Sequence, residues 1–170
     1  MRKIKELLGL PVLDLSTGKQ IGEVKDVVID AEKFQMVGLI LAHANWFHSA
    51  RSILTGQIRS IGEDTITVLN ETAIMDTAVL DQANYISLRE TLLGKHIVTA
   101  GGKTVGTLSD IVVDEETGAL TNYEVSDSVI QDLLEGRRII PLPTAQKIGA
   151  EAVIVPDTFS VVDQAEKMTE

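Results

Sequence analysis

The stretch Thr17-Gly18-Lys19-Gln20-Ile21-Gly22-Glu23-Val24-Lys25-Asp26-Val27-Val28-Ile29-Asp30 returns without a gap as Gly101-Gly102-Lys103-Thr104-Val105-Gly106-Thr107-Leu108-Ser109-Asp110-Ile111-Val112-Val113-Asp114. Gly18, Lys19, Gly22, Asp26 and Asp30 meet Gly102, Lys103, Gly106, Asp110 and Asp114 at a constant offset of 84. A period that long marks a duplicated domain, because solenoid repeats run at about 20 to 50 residues. Leu7-Leu8-Gly9 matches Leu92-Leu93-Gly94 at an offset of 85. Ile61-Gly62 and Ile66-Thr67-Val68 match Ile148-Gly149 and Val153-Ile154-Val155 at 87. The 170 residues therefore divide into copy one at 1–72, a connector at 73–86, copy two at 87–162 and a polar tail at 163–170. A unit of this size buries only about 60% of its unfolded surface. The copies are expected to pack on each other, or the chain to form a homodimer.

Hydrophobic residues at 44% and charged residues at 24% describe an ordinary globular chain. With Lys and Arg at 15 against Asp and Glu at 25, the net charge of −10 repels phosphate backbones. Nucleic acid is not the expected ligand. The cations of Met1-Arg2-Lys3-Ile4-Lys5 read as a solvated face. The absence of Cys excludes disulfides, thiolate metal sites and cysteine nucleophiles. The N-terminus lacks the apolar core of a signal peptide, and the uncharged stretch 36–44 is too short to span a bilayer. A cytoplasmic protein without membrane insertion is the expectation.

Along the chain, Ser87-Leu88-Arg89-Glu90 fits a capping box ended by Gly94, with a counterpart over residues 3–8 ended by Gly9. A helical turn is thus predicted at the head of each copy. Next come Val12-Leu13, the turn Asp14-Leu15-Ser16-Thr17-Gly18 and a long strand over 20–29, with Gly18 available for a positive φ. Asp114-Glu115-Glu116-Thr117-Gly118 reads as a hairpin loop made of a type I turn and a glycine bulge, and Asp30-Ala31-Glu32-Lys33-Phe34 takes its place in copy one. Gly22 and Gly106 fall inside strands, where glycine marks a bulge or a bend. Residues 71–86 lack Gly and Pro and read as an ordered connector with helical potential. Five or six short strands per copy predict an all-β fold, mainly strand with short helices, in which two small β-barrels stand in tandem.

The pattern of helical turn, Leu-Leu-Gly, Gly-Lys-x-Ile/Val-Gly-x-Val/Leu-x-Asp-Ile/Val-Val-Ile/Val-Asp, hairpin and closing Ile-Gly-x-x-x-Val-Ile-Val resembles the PRC-barrel family. That family is named for the cytoplasmic domain of the photosynthetic reaction-centre H subunit, and a related barrel closes the ribosome maturation factor RimM. The resemblance covers residues 1–70 and 86–162. It implies a small β-barrel that mediates protein contacts and brings no common catalytic residues. Two departures stand out. Copy one has Ile53-Leu54-Thr55 where copy two has Ile139-Ile140-Pro141, and neither the H subunit's membrane helix nor RimM's preceding domain is in the sequence.

Four kinds of candidate site follow from the residues. Asp26 and Asp30, like Asp110 and Asp114, sit four apart on a strand and so about 13 Å apart, too far to share a proton or a metal. Asp30 and Asp114 read as hairpin openers whose carboxylates accept turn amides, and Asp26 and Asp110 as groups able to hold a neighbouring loop. His43 and His48 lack evident third and fourth metal ligands, so no metal is expected. Gly101-Gly102-Lys103-Thr104 lacks the upstream glycine of a phosphate loop. Trp46 and Phe47, the only adjacent aromatic pair, occupy the loop that differs most between copies; its counterpart, residues 126–135, carries a short predicted helix with Val129 and Leu133. These residues, with His48, are the candidate partner-binding positions.

The functional expectation is a non-catalytic cytoplasmic adaptor, without cofactor, that binds a protein partner through these loops. The alternative is a ribosome-maturation or RNA-associated factor like RimM. A third reading is a ligand-sensing or enzymatic pocket between the barrels.

Overall fold

A computed structural model describes residues 1–42, 51–126, 138–141, 147–149, 151–157 and 162–163. Copy one and the connector supply β1 (Arg2–Lys3), β2 (Pro11–Asp14), β3 (Gln20–Asp30), β4 (Gln35–Leu41), β5 (Arg51–Leu54), β6 (Ser60–Ile61), β7 (Ile66–Val68), β8 (Met75–Asp76) and β9 (Tyr85–Ser87). Copy two supplies β10 (His96–Thr99), β11 (Thr104–Val113), β12 (Leu120–Ser126), β13 (Arg138–Pro141), β14 (Lys147–Ile148), β15 (Ala152–Val155) and β16 (Val162–Asp163). The sheets run β6-β7-β2-β3-β4-β5-β8 and β14-β15-β10-β11-β12-β13-β16, the same order twice. The fold is all-β with short helical turns, as the sequence predicts.

The long strands carry each sheet because their inward residues are β-branched or leucine. Val24, Val27 and Ile29 of β3 face the core opposite Leu41, Leu39 and Met36 of β4. Register shifts sit beside the strand glycines. Pairing of β2 with β3 slips between Val12 and Leu13, next to Gly22, and pairing of β10 with β11 slips between Ile97 and Val98, next to Gly106. Such one-residue bulges bend a strand, here where β3 and β11 pass from one neighbour to the next.

The outer edges of β3 and β11 are where the copies meet. At residues 20–23, β3 pairs with its own β2, while at 28–30 it pairs with β9, which ends the connector and leads into the head of copy two. In return β11 pairs with its own β10 and then with β1, the head of copy one, through Arg2↔Val113 and Lys3↔Val112. Each head thus crosses to the other copy, and the equivalent residues make the equivalent pairs: Ile86↔Ile29 and Ser87↔Val28. The hairpin tips meet at the centre of this exchange. Gln35 bridges Ala119, its own duplicate, while Met36 N–H donates to Gly118 O at 2.8 Å and Leu120 N–H to Phe34 O at 2.9 Å. Residues bonded to each other's duplicates are the mark of an isologous, two-fold interface.

A helical turn follows each crossing strand, Ile4–Leu7 in copy one and Leu88–Leu92 in copy two. The extra residue of copy two is absorbed in this turn, which closes as a π turn through Leu93 N–H to Leu88 O where copy one has a 3₁₀ turn. Ile4, Leu7, Leu88 and Leu92 are fully buried in an apolar core that is continuous through both copies. The connector is less helical than its composition suggests. Asn70 and Asp76 cap only single 3₁₀ turns, Glu71–Ala73 and Thr77–Leu80, because β5 and β3 recruit the residues between and after them as β8 and β9.

Candidate functional site

The repeated aspartates do two different jobs. Asp30 Oδ1 accepts the amides of Glu32 and Lys33, both at 2.9 Å, and Asp114 Oδ1 accepts those of Glu116 at 2.9 Å and Thr117 at 3.2 Å. Asp14 does the same for Ser16 and Thr17. These bonds favour the ionised carboxylate. The Ser16 hydroxyl holds Asp14 below the ordinary carboxylate range, and the Glu116 and Thr117 amides do so for Asp114. Burial opposes ionisation of Asp30, yet the Lys33 amide, the Asn84 side chain and the Glu32 amide outweigh it and lower it too.

Asp26 and Asp110 reach across to the other copy. Asp26 Oδ1 accepts Arg89 N–H at 2.8 Å and its own neighbour Val27 N–H at 2.7 Å, while Oδ2 accepts Glu90 N–H at 3.2 Å. Asp110 Oδ1 accepts Lys5 N–H at 3.2 Å and Ile111 N–H at 2.8 Å. Each aspartate therefore caps the head turn of the opposite copy. Ser87, the capping residue expected from sequence, makes no side-chain cap bond. A buried carboxylate offers a stronger acceptor than a hydroxyl, and Asp26 takes the turn's amides instead.

The N-terminal cations are another correction. They are not a free solvated face: Lys3 Nζ lies 2.8 Å from Glu124 Oε2, and Arg2 Nε lies 2.8 Å from Glu115 Oε1 while its guanidinium also donates to Gly62 O of copy one. Pairing with β11 brings these side chains onto acidic residues of copy two that sequence distance hides. Burial pushes Asp110 above its ordinary value, against the Ile111 and Lys5 amides, and nearby Glu124 pushes the same way.

The expected turn glycines Gly18, Gly102 and Gly118 lie at φ of 71°, 89° and 75°. Phe34, at the position of Gly118, takes φ of 53° without glycine's freedom. Trp46, Phe47, His48, Val129 and Leu133 lie outside the described residues, as does His43. Among the described residues no three His, Cys, Asp or Glu side chains come together as a metal-binding group, and no helix is long and apolar enough to cross a membrane. An open cleft of about 410 Å³ at the seam is bordered by Arg59 and Ser60 of copy one and Glu115 and Glu116 of copy two.

Comparison with known proteins agrees with this duplicated architecture. The family model for the PRC-barrel domain matches residues 1–73 and again 87–162. The chain belongs to the PRC-barrel family. It is also similar to an uncharacterized protein of Clostridium acetobutylicum, 31% identical over 70 residues, which cover 38% of this chain and 80% of that protein.

Proposed function

We propose that this PRC-barrel chain is a non-catalytic adaptor that binds a protein partner through the loops on which its copies disagree. Trp46, Phe47 and His48 in copy one, with Val129 and Leu133 in copy two, are the binding residues. The observation that carries this reading is the use to which the shared motif is put. Asp26 and Asp110 are occupied in capping the opposite copy's head turn, and Asp30 and Asp114 in closing hairpins. None of these repeated carboxylates is left to converge on a reacting group, and recognition falls to residues outside the shared motif. Aromatic anchors at a loop suit that task, since Trp and Tyr or Phe contribute disproportionately to interfaces.

The test is recovery of bound protein on the tagged chain, with and without Trp46→Ala and Phe47→Ala. Loss of the bound protein with an unchanged far-ultraviolet circular dichroism spectrum is the expected result. Undiminished recovery by both folded variants would sink these residues as the binding site.

A further inference from the structure

The two-fold exchange makes each copy an internal control for the other, and on one face they differ in kind. The outer face of β11 and β12 carries Asp110, Val112, Asn122 and Glu124, and the Lys3 side chain crosses it to reach Glu124. The equivalent residues of copy one are Asp26, Val28, Gly38 and Ile40, with Ser87 in the place of Lys3. A short hydroxyl replaces a long cation, and an apolar side chain replaces its carboxylate. Beside these positions copy one has a groove of about 330 Å³, bordered by Val28, Ile40, Leu80, Asp81, Tyr85 and Ser87.

The groove is built by packing. A Cβ on Gly38 would stand 2.8 Å from Ile53 O and 3.0 Å from Leu80 Cδ2, so glycine lets the connector's Leu80 settle against β4 and form one wall. Thr77 also lines it, and its hydroxyl is buried without a hydrogen-bond partner among the described residues. Val28, Ile40, Ala78 and Leu80 make up the apolar part of its lining, and the exposed Asp81 borders it.

We propose that this groove docks an extended peptide segment of a partner protein, which inserts one aliphatic side chain against Val28 and Ile40 and sets a lysine or arginine beside Asp81. The size, at the low end of ligand pockets of about 300 to 1,000 Å³, suits one large side chain and the backbone that carries it. Copy two shows the chemistry that fits the equivalent face: the apolar stem of Lys3 ends in a cation held by a carboxylate. The chain's net charge of −10 favours a cationic partner. The inference rests on the reading of the chain as a protein-binding module, but it uses different residues from those proposed above.

Panning a displayed random dodecapeptide library against the full chain is the test. Peptides with an aliphatic residue next to Lys or Arg are expected to be enriched. A synthetic peptide of that kind is expected to shift the Ile40 δ1-methyl resonance and to bind the Ser87→Lys/Ile40→Glu double variant at least tenfold more weakly. That variant transplants the pair that copy two accommodates at the same positions, so its urea midpoint reports whether the fold is kept. If it unfolds, Asp81→Lys, at an exposed position, decides the matter by an expected several-fold loss. Trp46→Ala and Phe47→Ala are expected to leave peptide binding unchanged, which separates failure of this site from failure of the loop site. No aliphatic-basic enrichment, an unmoved Ile40 methyl, or undiminished binding by the folded variants overturns the proposal.

Discussion

Replacing Asp26 with Ala is expected to destabilise the chain more than replacing Asp110, although they are the same residue of the two copies. Asp26 accepts three amides, two of them from the opposite head turn, and Asp110 accepts two, one of them across the seam. A hydrogen bond to a charged group contributes about 1.5–3 kcal/mol. Arg89 and Glu90 are exposed and their amides can be rehydrated, so Asp26→Ala should cost about 3–4 kcal/mol. Asp110→Ala loses one hydrogen bond fewer and also removes a carboxylate that burial and Glu124 already disfavour. Its cost should be about 1–2 kcal/mol. Urea unfolding measures both: the midpoints should fall with m unchanged, and melting temperatures should differ by roughly 4–8 °C, from about 2–4 °C per kcal/mol at this chain length. Equal losses, or a larger one at Asp110, would refute the argument that amide number and the like-charged neighbour set the strength of the cap.

Further outcomes can be measured in the same way. Gly118→Ala forces a side chain into φ of 75° at the point where the hairpin tips meet, and should lower stability by about 1–2 kcal/mol. Gly38→Ala drives a methyl toward the Ile53 carbonyl, which cannot rotate away, and should cost about 1–3 kcal/mol of stability, read by urea unfolding. Lys3→Met removes the ammonium that lies 2.8 Å from Glu124 and should lose about 1–2 kcal/mol, less than a fully buried pair because Lys3 is partly exposed; a double-mutant cycle with Glu124→Met measures the coupling between the two side chains. The pH dependence has two opposed parts. Asp14, Asp30 and Asp114 lie below their ordinary 3.8, so their contribution is complete above that value and is lost as pH falls through their folded values. Asp110 lies above 3.8, so the contribution of its protonated form is lost as pH rises through the raised value. Midpoints between about pH 3 and 7 should therefore shift in favour of Asp110→Asn over wild type as pH rises, and level off once Asp110 is ionised.

What could be read from the sequence depended on how far each residue's partner lies along the chain. The duplication and the β periodicity are local patterns, and they led to tandem all-β barrels. Asp30 and Asp114 find their amides two and three residues on, so residue type and position in the turn are enough to assign them. Asp26 bonds amides 63 and 64 residues away, and Asp110 one 105 residues away. Sequence could name them as holders of a loop but not say which. The same distance defeated the capping box at Ser87, a local signal overridden by an acceptor from the other copy, and the reading of Arg2 and Lys3 as solvated. The groove beside Ile40 had no local signature. It depends on Gly38 and Leu80 touching across the connector.

The exchanged heads also explain how duplication can lead to divergence. In a dimer of identical chains, a two-fold interface repeats every residue, and a change on one side is imposed on the other. Fused in one polypeptide, the equivalent positions are free to separate while the contact at the axis is kept. Gln35 still bridges Ala119, and Phe34 and Gly118 still accept each other's hairpin amides. Away from the axis, Lys3 and Glu124 form an ion pair, while the equivalent Ser87 and Ile40 border a groove. Val28, Ile40 and Ser87 hold the same strand register as Val112, Glu124 and Lys3, which is why transplanting Lys and Glu into copy one is expected to change the surface without requiring a new fold.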